Sequence, residues 1–243
     1  MMNKPYYLSY EARYQKVFEA GIEYWGHTPD DEILVSTLEK WVNENNLVGK
    51  KIIEYACGEG ACGIILSMLG CHYQGVDIAP SAVEKAKERL KNFPNAQVNL
   101  LDMVKETSGE TYDAALDCMG FHMLVTDHER NTYLQNAYNS LKSESPMLFF
   151  RECYAENAYA GKVDTYEQWK QISGNDYETP SLRCGNNGVE EIEVCIPLVP
   201  ARARNKEDYL KEIQSAGFIV EDFIEMEINE QNPYSVSIYV KKA

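Results

Sequence analysis

The chain has 243 residues, 44% hydrophobic and 25% charged, with a formal net charge of −15. That length fits one large α/β domain, or one with a modest insertion. Such an acidic chain, with no basic patch, repels a phosphate backbone and an anionic membrane, which disfavours nucleic acid and membrane as partners and leaves small molecules. The seven cysteines, at 57, 62, 71, 118, 153, 184 and 195, are odd in number and form no C-x-x-C pair. Free, mostly buried thiols in a reducing compartment are expected. The N-terminal MMNKPYYLSYEARYQ lacks the apolar core of a secretory leader, and no run approaches a membrane span. A cytoplasmic protein is the expectation.

In chain order, residues 10–20 and 30–45 read as helices. In the second, Ile33, Leu34, Leu38, Trp41 and Val42 recur near the helical period, with Asp30 and Asp31 at its positive end. Alternation follows. KIIEYA is a strand, Gly63 begins a helix, and YQGVDIA is a second strand. SAVEKAKERLKN is a helix with Ser81 placed as its cap. AQVNLLDM, YDAALDCMG and PMLFFREC are further strands, with a helix over 129–141 before the last. Such alternation predicts a parallel sheet covered by helices on both faces. Residues 154–203 break the rhythm and read as an insertion over the carboxyl edge of the sheet. A helix, NKEDYLKEIQSAG, then leads to FIVEDFIEMEI and YSVSIYVKK, which the short NEQNP should join as an antiparallel pair.

The stretch IIEYACGEGACG places Gly58, Gly60 and Gly63 at the first strand-to-helix junction, in G-x-G-x-x-G spacing. Glycine admits close approach of a ligand, and the helix start offers free N–H groups. Asp77 ends the second strand, where a carboxylate accepts from ribose hydroxyls. To this point a nicotinamide cofactor and S-adenosyl-L-methionine fit equally. Glu54, just ahead of the loop, suits an ammonium group and sits badly beside a pyrophosphate. Asp102, after the third strand, is placed to accept from an adenine amino group. The terminal antiparallel pair is foreign to the six-stranded dinucleotide fold.

IIEYACGEGACG resembles motif I of class I S-adenosylmethionine-dependent methyltransferases, written E/D-x-G-x-G-x-G. GVDIAPSAVEKAKE resembles that family's second motif. VNLLDM, YDAALDCMGFHML and SAGFIVEDF match later elements in order. EYWGHTP is more loosely similar to small-molecule enzymes of the thiopurine and tellurite-resistance type. The resemblance implies a Rossmann-like, seven-stranded, mostly parallel sheet with a C-terminal antiparallel hairpin and helices on both faces. It implies that Glu54 and the backbone of Ala56 and Gly58, with Gly60 in the same loop, hold the methionine end. Asp77 would take the ribose and Ile78 would pack near the adenine. Asp102 and Met103 would read the adenine edge, and Asp117 and Cys118 would line the methyl-donor end. The family's first glycine is Ala56 here, the smallest replacement and one tolerated where φ is negative.

Four segments follow: a helical cap (1–46), the cofactor half (47–153), the insertion or substrate lid (154–203), and the terminal helix and strand pair (204–243). The function expected is methyl transfer to a small molecule by direct in-line displacement. An NAD(P)-dependent oxidoreductase and a catalytically silent S-adenosylmethionine-binding protein are the alternatives. His122 lies in apolar GFHMLV and reads as a packing residue before a general base; His27 is a lid or a surface residue. Tyr14, Tyr24 and Trp25 are candidates to close over the cofactor, and Arg151 and Tyr154 to meet the acceptor. Arg202 and Arg204 could hold an acceptor carboxylate or form surface ion pairs. Scattered histidines give no metal site, and nothing in the pattern specifies an oligomer.

Overall fold

The computed structural model describes residues 5–186, 190–226 and 234–243. Its centre is a seven-stranded sheet in the order β3-β2-β1-β4-β5-β9-β8. The strands are β1 (Lys51–Tyr55), β2 (His72–Asp77), β3 (Ala96–Leu100), β4 (Ala114–Cys118), β5 (Pro146–Cys153), β8 (Phe218–Glu225) and β9 (Ser235–Lys242). Strands β1 to β5 pair in parallel, whereas β9 runs antiparallel to both β5 and β8. The fold and its terminal antiparallel pair match expectation; NEQNP lies outside the described residues. The chain winds outward from β1 to β3, then returns to β1's other side with β4. The switch point lies between β1 and β4, which Tyr55 and Asp117 register near their carboxyl ends.

Helices cover both faces, so β1 buries consecutive residues, as a central parallel strand must. Ile52 points into one core with α2 (Glu32–Glu44), α3 (Ala61–Met68) and α4 (Pro80–Leu90). Ile53 points into the other with α5 (Asp127–Ser140) and α7 (Lys206–Ser215). Ser81 does not cap α4. The helix starts at Pro80, whose fixed φ and missing N–H suit a first turn, and the Ser81 hydroxyl donates to Glu11 at 2.6 Å.

The 154–203 segment carries α6 (Tyr166–Ser173) and the hairpin β6 (Pro180–Asn186) and β7 (Glu191–Pro197). Val194 and Ile196 pack on Val17 of α1 (Ser9–Glu19) and on Ile22, not on the sheet. Arg202 and Arg204 are not surface ion pairs. Arg202 donates to the Val125 carbonyl at 2.9 Å and to Asp127 at 2.5 Å, while Arg204 and Arg130 converge on Glu212. Both are buried and fasten this segment to the core, because a guanidinium removed from water needs fixed acceptors. The thiols are mixed: Cys57, Cys62 and Cys71 are buried, and Cys184 and Cys195 are exposed.

A β-bulge in β5 between Phe149 and Glu152 puts Arg151 in the left-handed region at φ 56°. It re-aims two neighbours to opposite sides. Arg151 meets Asp31 in a two-pronged pair, at 2.8 and 3.1 Å, and Glu152 turns to His122. Asp31 also caps α2, accepting from the Ile33 and Leu34 N–H groups at 3.1 and 3.0 Å. Burial alone would raise the Asp31 carboxyl; hydrogen bonds, Arg151's among them, hold it well below its ordinary range.

Asp31→Ala therefore removes a cap and strands a buried guanidinium, and should cost about 3 kcal/mol in urea unfolding. Asp31→Asn, which keeps the capping oxygen, should cost less. A folded-state pKa below the unfolded one gives stability that is present at neutral pH and lost as pH falls below about 4. The difference between wild type and Asp31→Ala should accordingly shrink in acid.

Candidate active site

A cavity of about 370 Å³ opens at the switch point, over the carboxyl ends of β1, β2 and β4. Its floor is the glycine loop. Gly58 (φ 51°) and Gly60 (φ 84°) adopt left-handed backbone. Gly60 does not line the cavity; it caps α3 and packs on Ala86, which a Cβ would approach to 3.1 Å. Gly63 serves packing too. A Cβ there would stand 2.5 Å from the Tyr73 ring, and one on Gly75 would stand 2.6 Å from its hydroxyl. The two glycines leave a slot through which Tyr73 reaches Glu54 at 2.5 Å.

Glu54 lines the cavity and is 1% exposed. Burial pushes its carboxyl up to about 8, with the nearby Cys118 adding to the rise, and the Tyr73 hydroxyl only partly offsets them. No cation is paired with it among the described residues. Asp77, also buried, accepts from the Gly58 N–H and the Ala79 N–H, both at 2.8 Å. It thereby ties the loop to the end of β2, and burial raises its pKa. Asp102 holds its own turn by accepting from the Val104 N–H at 3.0 Å, and receives the Tyr7 hydroxyl at 3.3 Å. Ile78, Met103 and Cys118 also line the cavity. A hydrogen bond from Cys62 draws the Cys118 thiol down to about 5, against its burial.

Ala56 lies in the cavity wall with φ 52°, so it is not a site of negative φ. An L-residue in this region costs on the order of 1 kcal/mol. Gly120 makes the fit possible, since a Cβ there would meet that of Ala56 at 2.7 Å.

Asp117 does not line the cavity. It is fully buried beneath it, accepting from the Gly120 and Phe121 N–H groups at 2.7 and 3.1 Å and from Tyr133 at 2.5 Å. It shapes the turn after β4. Its neighbour Cys118 faces the cavity because side chains alternate along a strand. Three of the five lid candidates also lie elsewhere. Tyr24 stacks under the Arg89 guanidinium at 3.6 Å, Arg151 is spent on Asp31, and Tyr154 reaches Glu225 at 3.4 Å. Tyr14 and Trp25 do line the cavity. The Trp25 N–H donates to Glu59 of the glycine loop at 2.5 Å, which fastens the segment after α1 across the opening.

His122 and His27 both line the cavity. His122 Nδ1 stands 2.8 Å from Glu152 Oε2, which also accepts the His122 N–H at 2.7 Å. That contact occupies one ring nitrogen and leaves Nε2 for a ligand. Glu152 is buried, which pushes it up to about 8. His27 Nδ1 lies 2.6 Å from an Arg151 nitrogen and 3.4 Å from an Asp31 carboxylate oxygen. Tyr7, Tyr10, Arg13 and Glu59 are lining residues the motifs did not single out, as are Leu198, Val199 and Ala201 after β7. The spacing Tyr7, Tyr10, Tyr14 was a usable signal, since i, i+3 and i+7 share one helix face.

Residues 52–144 match the family model described as a methyltransferase domain. Among curated proteins, the ribosomal protein L11 methyltransferase of Marinobacter nauticus is 32% identical over 53 residues. That stretch is 21% of this chain and 18% of the relative, so the match spans under a fifth of the curated protein. A solved S-adenosylmethionine-dependent methyltransferase from Clostridium acetobutylicum superposes with a TM-score of 0.63 at 16% identity, over 98% of this chain and 99% of that one. Magnesium protoporphyrin IX methyltransferase from Synechocystis PCC 6803, solved with bound S-adenosylhomocysteine, gives 0.64 at 14% identity, over 98% and 97%. Residues 52–144 thus match a methyltransferase domain, and the chain shares its whole fold, strand order included, with solved S-adenosylmethionine-dependent methyltransferases.

Proposed function

We propose that this chain transfers a methyl group from S-adenosyl-L-methionine to a small molecule enclosed between the glycine loop and the 154–203 segment. One observation carries the reading: Glu54, a buried carboxylate paired with no cation among the described residues, faces the same cavity as Asp77 and Asp102 at the neighbouring strand tips. An ammonium group supplies what Glu54 lacks, and the other two carboxylates suit a ribose and an adenine. Three acidic side chains on one cavity floor, Glu54, Glu59 and Asp77, would each have to stay protonated beside a pyrophosphate, which weighs against a dinucleotide. The relative with bound S-adenosylhomocysteine supports the cofactor by likeness of fold.

When bound, the cofactor supplies a methyl group activated by its sulfonium. The protein's part is then to position the acceptor and exclude water. Tyr10, Met123, Leu198 and Val199 give the remaining wall an apolar character that suits a small acceptor. His122, held by Glu152, is the group placed to accept a proton where the acceptor has one to lose.

Calorimetry with S-adenosylhomocysteine and NAD(H) in parallel tests the cofactor. Saturable binding of the first at micromolar levels is expected, weakened tenfold or more in Asp77→Ala. No binding at millimolar ligand would end the proposal. Turnover is tested by presenting labelled cofactor to a panel of amines, thiols, phenols and carboxylic acids; binding without transfer to any of them would mark a silent binder.

Glu54 gives a second test. Its folded-state pKa, about 8, lies above the ordinary value of 4.5, so the folded protein keeps a proton that the unfolded chain releases. Stability therefore falls as pH rises through that window. Glu54→Gln keeps an acceptor for Tyr73 and removes this cost. It should raise stability at pH 8 by on the order of 1–3 kcal/mol in urea, while weakening cofactor binding at least tenfold. Wild-type affinity should rise from pH 6 to pH 8, and that of the variant should stay flat by comparison.

A further inference from the structure

Three of the seven thiols, those of Cys57, Cys62 and Cys118, line the cavity, and methyl transfer asks no chemistry of any of them. Cys118 ends β4, and Cys62 is the second residue of α3. The strand tip and the helix start are two sides of one crevice. Cys118 packs against the core that contains Cys62, and the two sulfurs lie within hydrogen-bonding reach. Cys62 is buried, whereas Cys118 is partly open and faces the cavity. Cys57 differs. It lies under β2, 3.0 Å from where a Cβ on Gly75 would stand, and burial holds its thiol well above the ordinary range.

The surroundings single out Cys118 as the reactive member of the pair. The His27 ring centre lies 6.1 Å from that of Phe150, and Phe150 is the residue opposite Cys118 in the β4–β5 ladder. His27, 3.4 Å from an Asp31 carboxylate oxygen, is close enough for its charge to act on Cys118, and so is Arg151. Burial alone would lower the His27 pKa; the Cys118 charge and the Asp31 contact raise it to about 9. Two cationic groups therefore face one thiol, which favours the thiolate at neutral pH. The thiolate is the form that peroxides oxidise, and a second thiol within reach diverts the product to a disulfide.

We propose that Cys118 is an oxidation site and Cys62 its resolving thiol, so that a hydroperoxide closes the cavity through a Cys62–Cys118 disulfide. The Cys118 thiolate attacks one peroxide oxygen and the O–O bond breaks. The other oxygen leaves as hydroxide and takes a proton to become water. The peroxide gains two electrons, and Cys118 loses them to become a sulfenic acid. The Cys62 sulfur then attacks that of Cys118. An S–S bond forms, the S–O bond breaks, and the departing hydroxide with the Cys62 proton gives a second water. A dithiol reverses the bond and is itself oxidised to its disulfide. The link ties the first turn of α3 to the tip of β4 and draws the crevice shut at the switch point. That the closed form rejects S-adenosyl-L-methionine rests on the cofactor reading above; the bond itself does not.

The test treats the wild-type protein with hydrogen peroxide and maps its peptides by mass spectrometry without reduction. A peptide linked through Cys62 and Cys118 is expected, two hydrogens lighter than the reduced pair. It should form before Cys184 and Cys195, the exposed thiols of the hairpin, are oxidised. In Cys62→Ser, dimedone should trap a sulfenic acid at Cys118; in Cys118→Ser, Cys62 should stay reduced over the same time. By calorimetry, oxidation should weaken S-adenosylhomocysteine binding roughly tenfold or more, and dithiothreitol should restore it, which separates the bond from damage. Oxidation of Cys184 and Cys195 with no linked peptide would overturn the proposal. A linked pair with unchanged affinity would overturn the closing of the cavity. Reduced wild type that forms the link but never binds S-adenosylhomocysteine would defeat the cofactor reading and uphold the thiol pair.

Discussion

A carboxylate that cannot hold its charge alone sits at the end of the strand from which the sheet winds both ways. Glu54 is taken out of water by Ile52 and Ile53 in the two cores beside it, and by the helix that follows the glycine loop. Its donors are the Tyr73 hydroxyl, admitted by two missing Cβ atoms on Gly63 and Gly75, and the Cys62 thiol. A buried acid with only neutral donors is a stability cost. Proteins keep such costs where a ligand of opposite charge removes them. The loop geometry, the tie from Asp77 to Gly58 and the left-handed Ala56 all surround this group. They are the local conditions for presenting a charge at the bottom of a dry crevice.

Much of this was legible in the residues because it is local. Glycines at a strand-to-helix junction, a carboxylate just before them and another at the next strand tip are fixed by spacing alone. The alternation that gave the sheet is equally local, and the matched order of strands follows from short connections. What spacing misses is pairing across long separations. Arg151 looked free at the end of β5, and its partner Asp31 lies 120 residues away. Arg202 looked exposed after an apolar run, and its acceptors include Val125 just ahead of α5 and Asp127 in its first turn. In both cases the arginine's fate depended on a tertiary contact that periodicity does not encode.

The glycine motif also shows how one pattern holds several physical jobs. Gly58 gives the loop its course beneath Tyr14, Gly60 caps a helix against Ala86, and Gly63 makes room for an aromatic ring. Only the first of the three lies in the cavity. Asp117 and Cys118 divide in the same way. The aspartate, adjacent in sequence, is spent on its own turn, on Tyr133 and on Glu152, and of the two only the cysteine meets the cavity. Sequence adjacency placed both near the site, and strand alternation then separated them.

The β6–β7 hairpin leans on α1 and Ile22 and forms no ladder with the main sheet. Two fixed arginine clamps anchor the chain that follows it. A change that reshapes the hairpin therefore presses first on α1, ahead of any strand of the main sheet, and α1 is the element that carries Tyr10, Arg13 and Tyr14 into the cavity wall.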